Sequence, residues 1–184
     1  GRTFQNLALF KGMSVIDNIM TGRNLKIKSN LLLQALRIGP AEREEIRHRE
    51  YVEHIIDFLE IQAFRKTPVG QLPYGLQKRV DLGRALAMEP QVLLLDEPFS
   101  AVDAFTRMKL QDLVVGLADR YGIALLLVTH DLDEAFYLSD RVLILGGSPS
   151  RIQRELAVPL PHPRDRRAVE LAYLRGEALT ELAL

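Results

Sequence analysis

Val92-Leu93-Leu94-Leu95-Asp96-Glu97-Pro98 is a short apolar run that ends in two adjacent carboxylates. Consecutive Val and Leu without polar alternation suit a strand buried on both faces of a parallel sheet. In open α/β sheets ligands gather at the carboxyl ends of strands, so Asp96 and Glu97 stand where a nucleotide would lie. The first acid suits Mg²⁺, which prefers oxygen ligands and keeps several waters. The second suits a general base that polarises an attacking water. A solvated strand end that happens to carry two acids is the plainer alternative.

Working outward, Ala124–Val128 and Val142–Leu145 repeat the apolar pattern. Helical spacing separates the runs. Met108, Leu110, Leu113, Val114 and Leu117 recur within Ala104–Tyr121, and Leu132, Ala135 and Leu138 follow at three-residue steps. Strand, helix, strand, helix, strand predicts an open α/β sheet with right-handed crossovers.

Upstream the pattern is helical. Ala41–Glu60 carries Val52, Ile55, Ile56 and Leu59 as an apolar stripe, with Glu42, Arg43, Glu44, Arg47 and Arg49 on the wet side. Gln77–Met88 reads as a second helix ended before Pro90, and Leu25–Ile38 as another ended by Gly39-Pro40. The expected organisation is therefore a helical subdomain within residues 1–89, a core α/β part over 90–147, and a tail over 148–184. That tail carries Pro149, Pro159, Pro161 and Pro163 and a helical end from Arg167.

The chain of 184 residues is 47% hydrophobic and 26% charged, ordinary for a globular domain. Its 24 basic and 24 acidic residues cancel, which gives no support for nucleic acid or an anionic membrane as the main partner. The basic cluster Arg164, Arg166 and Arg167 reads as a solvated segment. With no cysteine, disulfides and thiolate metal sites are excluded. No apolar run is long enough to cross a bilayer. The first residue is Gly1, which suggests a truncated start.

A second candidate site follows the second apolar run, in Leu127-Val128-Thr129-His130-Asp131. A neutral imidazole at a strand end can donate a hydrogen bond to a phosphate oxygen. Alternatively, Asp131 caps a helix and His130 is incidental.

Taken together, Asp96-Glu97-Pro98, Ser100-Ala101-Val102-Asp103 and Thr129-His130-Asp131 resemble the Walker B, D-loop and H-loop series of ABC-transporter ATPases. Thr3-Phe4-Gln5-Asn6 resembles the Q-loop. Leu72-Pro73-Tyr74-Gly75-Leu76-Gln77-Lys78-Arg79 stands at the place of the signature motif. The resemblance extends from Arg2 to about Arg167. It implies the C-terminal part of an ABC-type P-loop ATPase domain: α/β, mainly parallel sheet, with an inserted helical subdomain. It also implies ATP and Mg²⁺ as cofactors. Asp96 and Gln5 would hold the metal, Glu97 would act as catalytic base, and His130 would contact the γ-phosphate. Asp103 and the signature residues Leu72, Pro73, Tyr74, Gly75, Leu76 and Gln77 would meet nucleotide across a dimer interface. The implied partners are a second ATPase subunit, transmembrane permease subunits and, indirectly, a substrate-binding protein, at the cytoplasmic face of a bacterial inner membrane.

The chain departs from the family pattern in two places. Pro73 replaces the signature serine and offers a phosphate neither hydroxyl nor N–H. No Gly-Lys pair occurs, so the phosphate-gripping loop is missing from this sequence. The transporter type is divided. Residues 2–98 resemble branched-chain amino acid importer ATPases, and residues from Phe99 onward resemble those of nitrate, sulfonate or taurine importers, as in a hybrid joined near Pro98. Leu9, Phe10, Met13 and Val15 either contact the membrane partner or fill the subdomain core. The sequence favours branched-chain amino acid import, with nitrate, sulfonate or taurine import or a non-catalytic remnant as alternatives. The missing loop leads to a direct expectation: this chain alone is inactive and does not bind ATP tightly. A titration of the chain with ATP that gave a micromolar dissociation constant would overturn it.

Overall fold

A computed structural model describes residues 9–26 and 40–182. The chain divides into two compact units, Asn6–Gln91 and Val92–Leu184, the latter grouped with Gly1–Gln5. The expected helix over Leu25–Ile38 lies almost wholly outside the described residues.

The first unit is helical. It contains α1 (Val15–Met20), a 3-10 turn (Thr21–Leu25), α2 (Pro40–Phe58) and α3 (Tyr74–Leu86). Proline suits the first position of α2, where its missing N–H and fixed φ carry no cost. The stripe expected of α2 is its core face: Val52, Ile55, Ile56 and Leu59 are fully buried, with Val15, Ile19, Val69 and Val80. Helix α3 crosses this core closely at Gly83, where a Cβ would stand 2.7 Å from Leu59 Cδ1 and 2.9 Å from Ile19 Cδ1. It begins three residues before the expected Gln77, because the Pro73 carbonyl accepts from both Leu76 and Gln77 N–H groups (3.0 and 3.1 Å) and so opens the first turn. Buried Asn18 fixes the preceding loop, accepting from Phe10 N–H and donating to the carbonyls of Phe10, Met13 and Ser14. Buried Arg23 ties the unit's ends together through the Ala87 carbonyl (2.8 Å), Glu89 (2.7 Å) and His48 Nδ1 (3.0 Å).

The second unit is α/β. Strand β1 (Val92–Asp96) pairs in parallel with β2 (Ala124–Val128), in register from Val92↔Ala124 to Asp96↔Val128. The crossover is α4 (Ala104–Tyr121). Its N-terminus is capped by Asp103, which accepts from Thr106 N–H at 3.0 Å, and its end is turned by Gly122 at φ +61°. Helix α5 (Leu132–Leu138) follows β2 and is capped by Asp131. Two expectations change here. The third apolar run becomes β3 (Arg141–Gly146), which pairs antiparallel with β4 (Arg151–Ala157) in a separate two-stranded sheet. Burial on both faces does not hold either: Leu93 and Leu95 are buried, but Val92, Leu126 and Val128 are 56%, 55% and 49% exposed. Among the described residues, nothing covers that face of the pair. No helix of the described residues is long and apolar enough to cross a membrane.

Helix α6 (Val169–Leu182) closes the described chain. The segment before it is anchored by Arg164, whose side chain is 1% exposed. Its guanidinium donates to the carbonyls of Phe136 (2.9 Å), Tyr137 (3.1 Å), Ser139 (2.8 Å), Val158 (3.3 Å) and Leu160 (3.0 Å), and to Asp140 (3.2 Å). A cation at the C-terminal end of α5 satisfies carbonyls that the helix itself leaves open. Removing it strands buried acceptors. Arg164→Met is expected to lower the unfolding free energy by about 3 kcal/mol, read by urea denaturation. Arg164→Lys should recover only part of this, since one ammonium cannot span the carbonyls that the planar fork reaches.

Candidate functional site

Asp96 is the last residue of β1, half-buried and opposite Val128. It makes no ion pair among the described residues. Glu97 leaves the strand at φ +45°, a left-handed conformation that a residue with a Cβ adopts only when its surroundings enforce it. Here its N–H donates to the Val128 carbonyl at 2.9 Å, while its own carbonyl accepts from Ser100 N–H (3.3 Å) and Ser100 Oγ (3.0 Å). The buried Pro98 and Phe99 hold the turn.

This bend brings Glu97 to His130. Glu97 Oε1 accepts from the His130 backbone N–H at 3.0 Å and lies 2.7 Å from His130 Nδ1. The hydrogen bond to Glu97 and then its charge hold the imidazole above the ordinary histidine range. With Nδ1 committed, Nε2 is the free ring nitrogen, and the side chain is 82% exposed. Asp131 is both neighbour and cap: its Oδ1 accepts from Asp133 N–H (2.9 Å) and Glu134 N–H (3.2 Å). Asp131 therefore caps α5 as the plainer reading expected, but His130 is not incidental to that turn.

Of the remaining candidates, Asp103 lies in the same unit, committed to the N-terminus of α4. Its carboxyl is held below the usual carboxylate range chiefly by the Thr106 N–H. The signature residues belong to the helical unit. Pro73 stands before α3 with no side-chain cap, Tyr74 is exposed, and Gln77 Nε2 folds back onto the Leu72 carbonyl at 2.7 Å. The Gln77 amide is thus occupied within its own turn. Gln5 lies outside the described residues. Leu9, Phe10, Met13 and Val15 divide: Val15 is fully buried core, Leu9 and Met13 are half-buried, and Phe10 is exposed.

No cluster of three or more metal-ligating side chains occurs among the described residues. A single uncommitted carboxylate, Asp96, fits an ion such as Mg²⁺ that keeps most of its waters and takes phosphate oxygens for the rest. Sequence reasoning did not single out Glu134 or Arg107. Glu134 is buried and accepts from Thr129 Oγ1 at 2.9 Å, and burial pushes its carboxyl up. Its signal was present: Asp131-Leu132-Asp133-Glu134 has capping-box spacing. Arg107 carries no local signal.

A family model described as ABC transporter matches residues 1–100. An aliphatic sulfonates import ATP-binding protein of Pseudomonas aeruginosa is 68% identical over 112 residues, covering 61% of this chain and 45% of the relative. Another of that description from Burkholderia lata is 46% identical over 179 residues, covering 97% of this chain and 59% of the relative. The chain spans about half the length of the curated relatives it matches. A dimeric ABC transporter cassette of known structure superimposes with TM-score 0.64 at 26% identity, over 84% of this chain and 61% of that one. The preference for branched-chain amino acid import is not supported, since these relatives carry sulfonate import names. That preference rested on the resemblance of residues 2–98 and on their expected place at the membrane partner. Of the four residues left open there between membrane contact and core, Val15 is core.

The paired imidazole predicts a pH dependence with a definite sign. A raised folded pKa means that the pair contributes fully below the ordinary histidine pKa, and its contribution is lost as pH rises through the folded value. In an NMR pH titration, His130 should titrate above an ordinary histidine, and Glu97→Gln should bring it down. An unchanged His130 titration in that variant would contradict the pairing.

Proposed function

The chain belongs to the ABC transporter family, and we propose that it forms part of an ATP-hydrolysing subunit of a bacterial importer whose cargo is an aliphatic sulfonate. The observation that carries the reading is the Glu97–His130 pair at the carboxyl ends of parallel strands β1 and β2, at 2.7 Å. The sulfonate relatives support the cargo.

In this mechanism Glu97 orients the attacking water and accepts its proton. In its protonated form His130 keeps Nδ1–H on Glu97 and presents Nε2–H to a γ-phosphate oxygen. Asp96 and Gln5 would hold Mg²⁺, which would supply charge neutralisation for the phosphoryl group. The α3 N-terminus, whose first turn is Tyr74–Gln77 of the signature, directs free N–H groups at the nucleotide of a second ATPase subunit. Pro73 contributes no donor there, so the contact relies on the backbone of Tyr74 and Gly75. Asp103 lies at the same subunit boundary. The helical subdomain within residues 1–89 docks on transmembrane permease subunits at the cytoplasmic face of the membrane, with exposed Phe10 as an apolar contact. The substrate-binding protein acts from the other side.

The test joins this chain to a family phosphate-loop segment and compares ATPase rates of the parent and Glu97→Gln. Loss of a positioned base is expected to lower kcat by on the order of 100-fold or more, with ATP still bound. Equal, negligible rates in both would favour the non-catalytic remnant. In proteoliposomes with the cognate permease and binding protein, ATP-driven uptake of an alkanesulfonate is expected. Uptake of leucine instead would return the assignment to branched-chain amino acids.

A further inference from the structure

Arg107 sits in the first turn of α4, where its N–H bonds to the Asp103 carbonyl at 2.8 Å. Its guanidinium reaches two turns at once. Nη2 donates to the Val102 carbonyl at 3.4 Å, in the Ser100–Asp103 turn. Nη1 donates to Asp131 Oδ2 at 3.4 Å, in the turn that carries His130. Nε is buried, has no hydrogen-bond partner, and stands 3.8 Å from Glu134 Oε1.

The far side of that turn is held by the same cluster. Thr129 Oγ1 donates to buried Glu134 at 2.9 Å and accepts from Asp131 N–H at 3.1 Å. His130 thus stands between Thr129 and Asp131, fixed by Glu134 and Arg107 respectively, and faces Glu97. Glu97 in turn accepts from Ser100 through its carbonyl. The contacts form a closed ring: Val102, Arg107, Asp131, His130, Glu97, Ser100 and back along the turn to Val102.

We propose that Arg107 is a positioning residue that couples the Ser100–Asp103 turn to the Glu97–His130 pair. The proposal rests on the reading of that pair as the hydrolytic one. A surface ion pair at these distances would contribute little. Two features set this one apart: Glu134 is buried, and the Arg107 Nε–H is buried without an acceptor, a costly condition for a polar atom. Closing the 3.8 Å gap to Glu134 would satisfy that atom. The Arg107 backbone is anchored on Asp103, so a displacement of the turn carries the guanidinium with it and draws on Asp131. The turn bearing His130 then follows, and the Glu97 contact tightens or opens.

The test is NMR on the 184-residue chain. The His130 backbone and ring nitrogen and proton shifts report its two bonds to Glu97, and Glu97→Gln defines their values with the pair broken. In Arg107→Gln these shifts are expected to move most of the way toward the Glu97→Gln values, while the buried core of α4 around Leu117 keeps its wild-type spectrum. Arg107→Lys should fall between, since one ammonium reaches Asp131 or the Val102 carbonyl but not both. Unchanged His130 shifts in a folded Arg107→Gln chain overturn the proposal. So do shifts spread through α4 and α5 with His130 unmoved. If glutamine unfolds the chain, the lysine variant decides, and a His130 spectrum identical to wild type overturns it. The measurement needs no nucleotide. Loss of the pair in Arg107→Gln would stand even if Glu97→Gln left hydrolysis intact, which would refute only the hydrolytic reading.

Discussion

One backbone hydrogen bond sets the geometry on which the site depends. The Glu97 N–H donates to the Val128 carbonyl at 2.9 Å, carrying the β1–β2 pairing one residue past Asp96. The chain must then turn without losing that bond, and it does so at φ +45°, where an L-residue is disfavoured by roughly 1–2 kcal/mol. The turn is over-determined by Ser100 on the Glu97 carbonyl and by the buried Pro98 and Phe99. The two adjacent acids are thereby separated in role. Asp96 keeps the strand's direction with an uncommitted carboxylate, while Glu97 is swung onto His130.

The charges around the pair are sorted by depth. His130 is exposed and protonates more readily because Glu97 is beside it. Glu134, only a few residues on, is buried and protonates more readily because water is excluded. The first shift makes a donor available toward solvent. The second acts on a carboxyl held by Thr129 and facing Arg107, away from the imidazole's own partner.

Much of the α/β unit was legible in the sequence because its signals are local. Asp103 and Gly122 bracket α4, and Asp131 opens α5, so both helices run over Ala104–Tyr121 and Leu132–Leu138 as the spacing predicts. The candidate pair was legible in position, since Glu97 and His130 each follow an apolar run, but their contact was not. It arises from a left-handed turn that no spacing encodes. Strand β4 was missed because Arg151-Ile152-Gln153-Arg154-Glu155-Leu156-Ala157 shows neither an apolar run nor clean alternation, and its partner β3 supplies the ladder. Arg107 was invisible for a related reason: its partners Asp131 and Glu134 are 24 and 27 residues away in the chain, beyond any local rule. The cargo was the least legible part: residues 2–98 and the chain from Phe99 onward pointed to different importers, and the sulfonate names of the relatives fit the second.

The anchoring of Arg164 bears on how this fold tolerates sequence drift. All but one of its acceptors are main-chain carbonyls, at Phe136, Tyr137, Ser139, Val158 and Leu160. A carbonyl is present whatever side chain a codon specifies. Substitutions along α5 and the Pro159–Pro163 segment can therefore accumulate without removing an acceptor, provided the backbone path is kept. The whole constraint falls on a single position, which must remain arginine while its surroundings are free to vary.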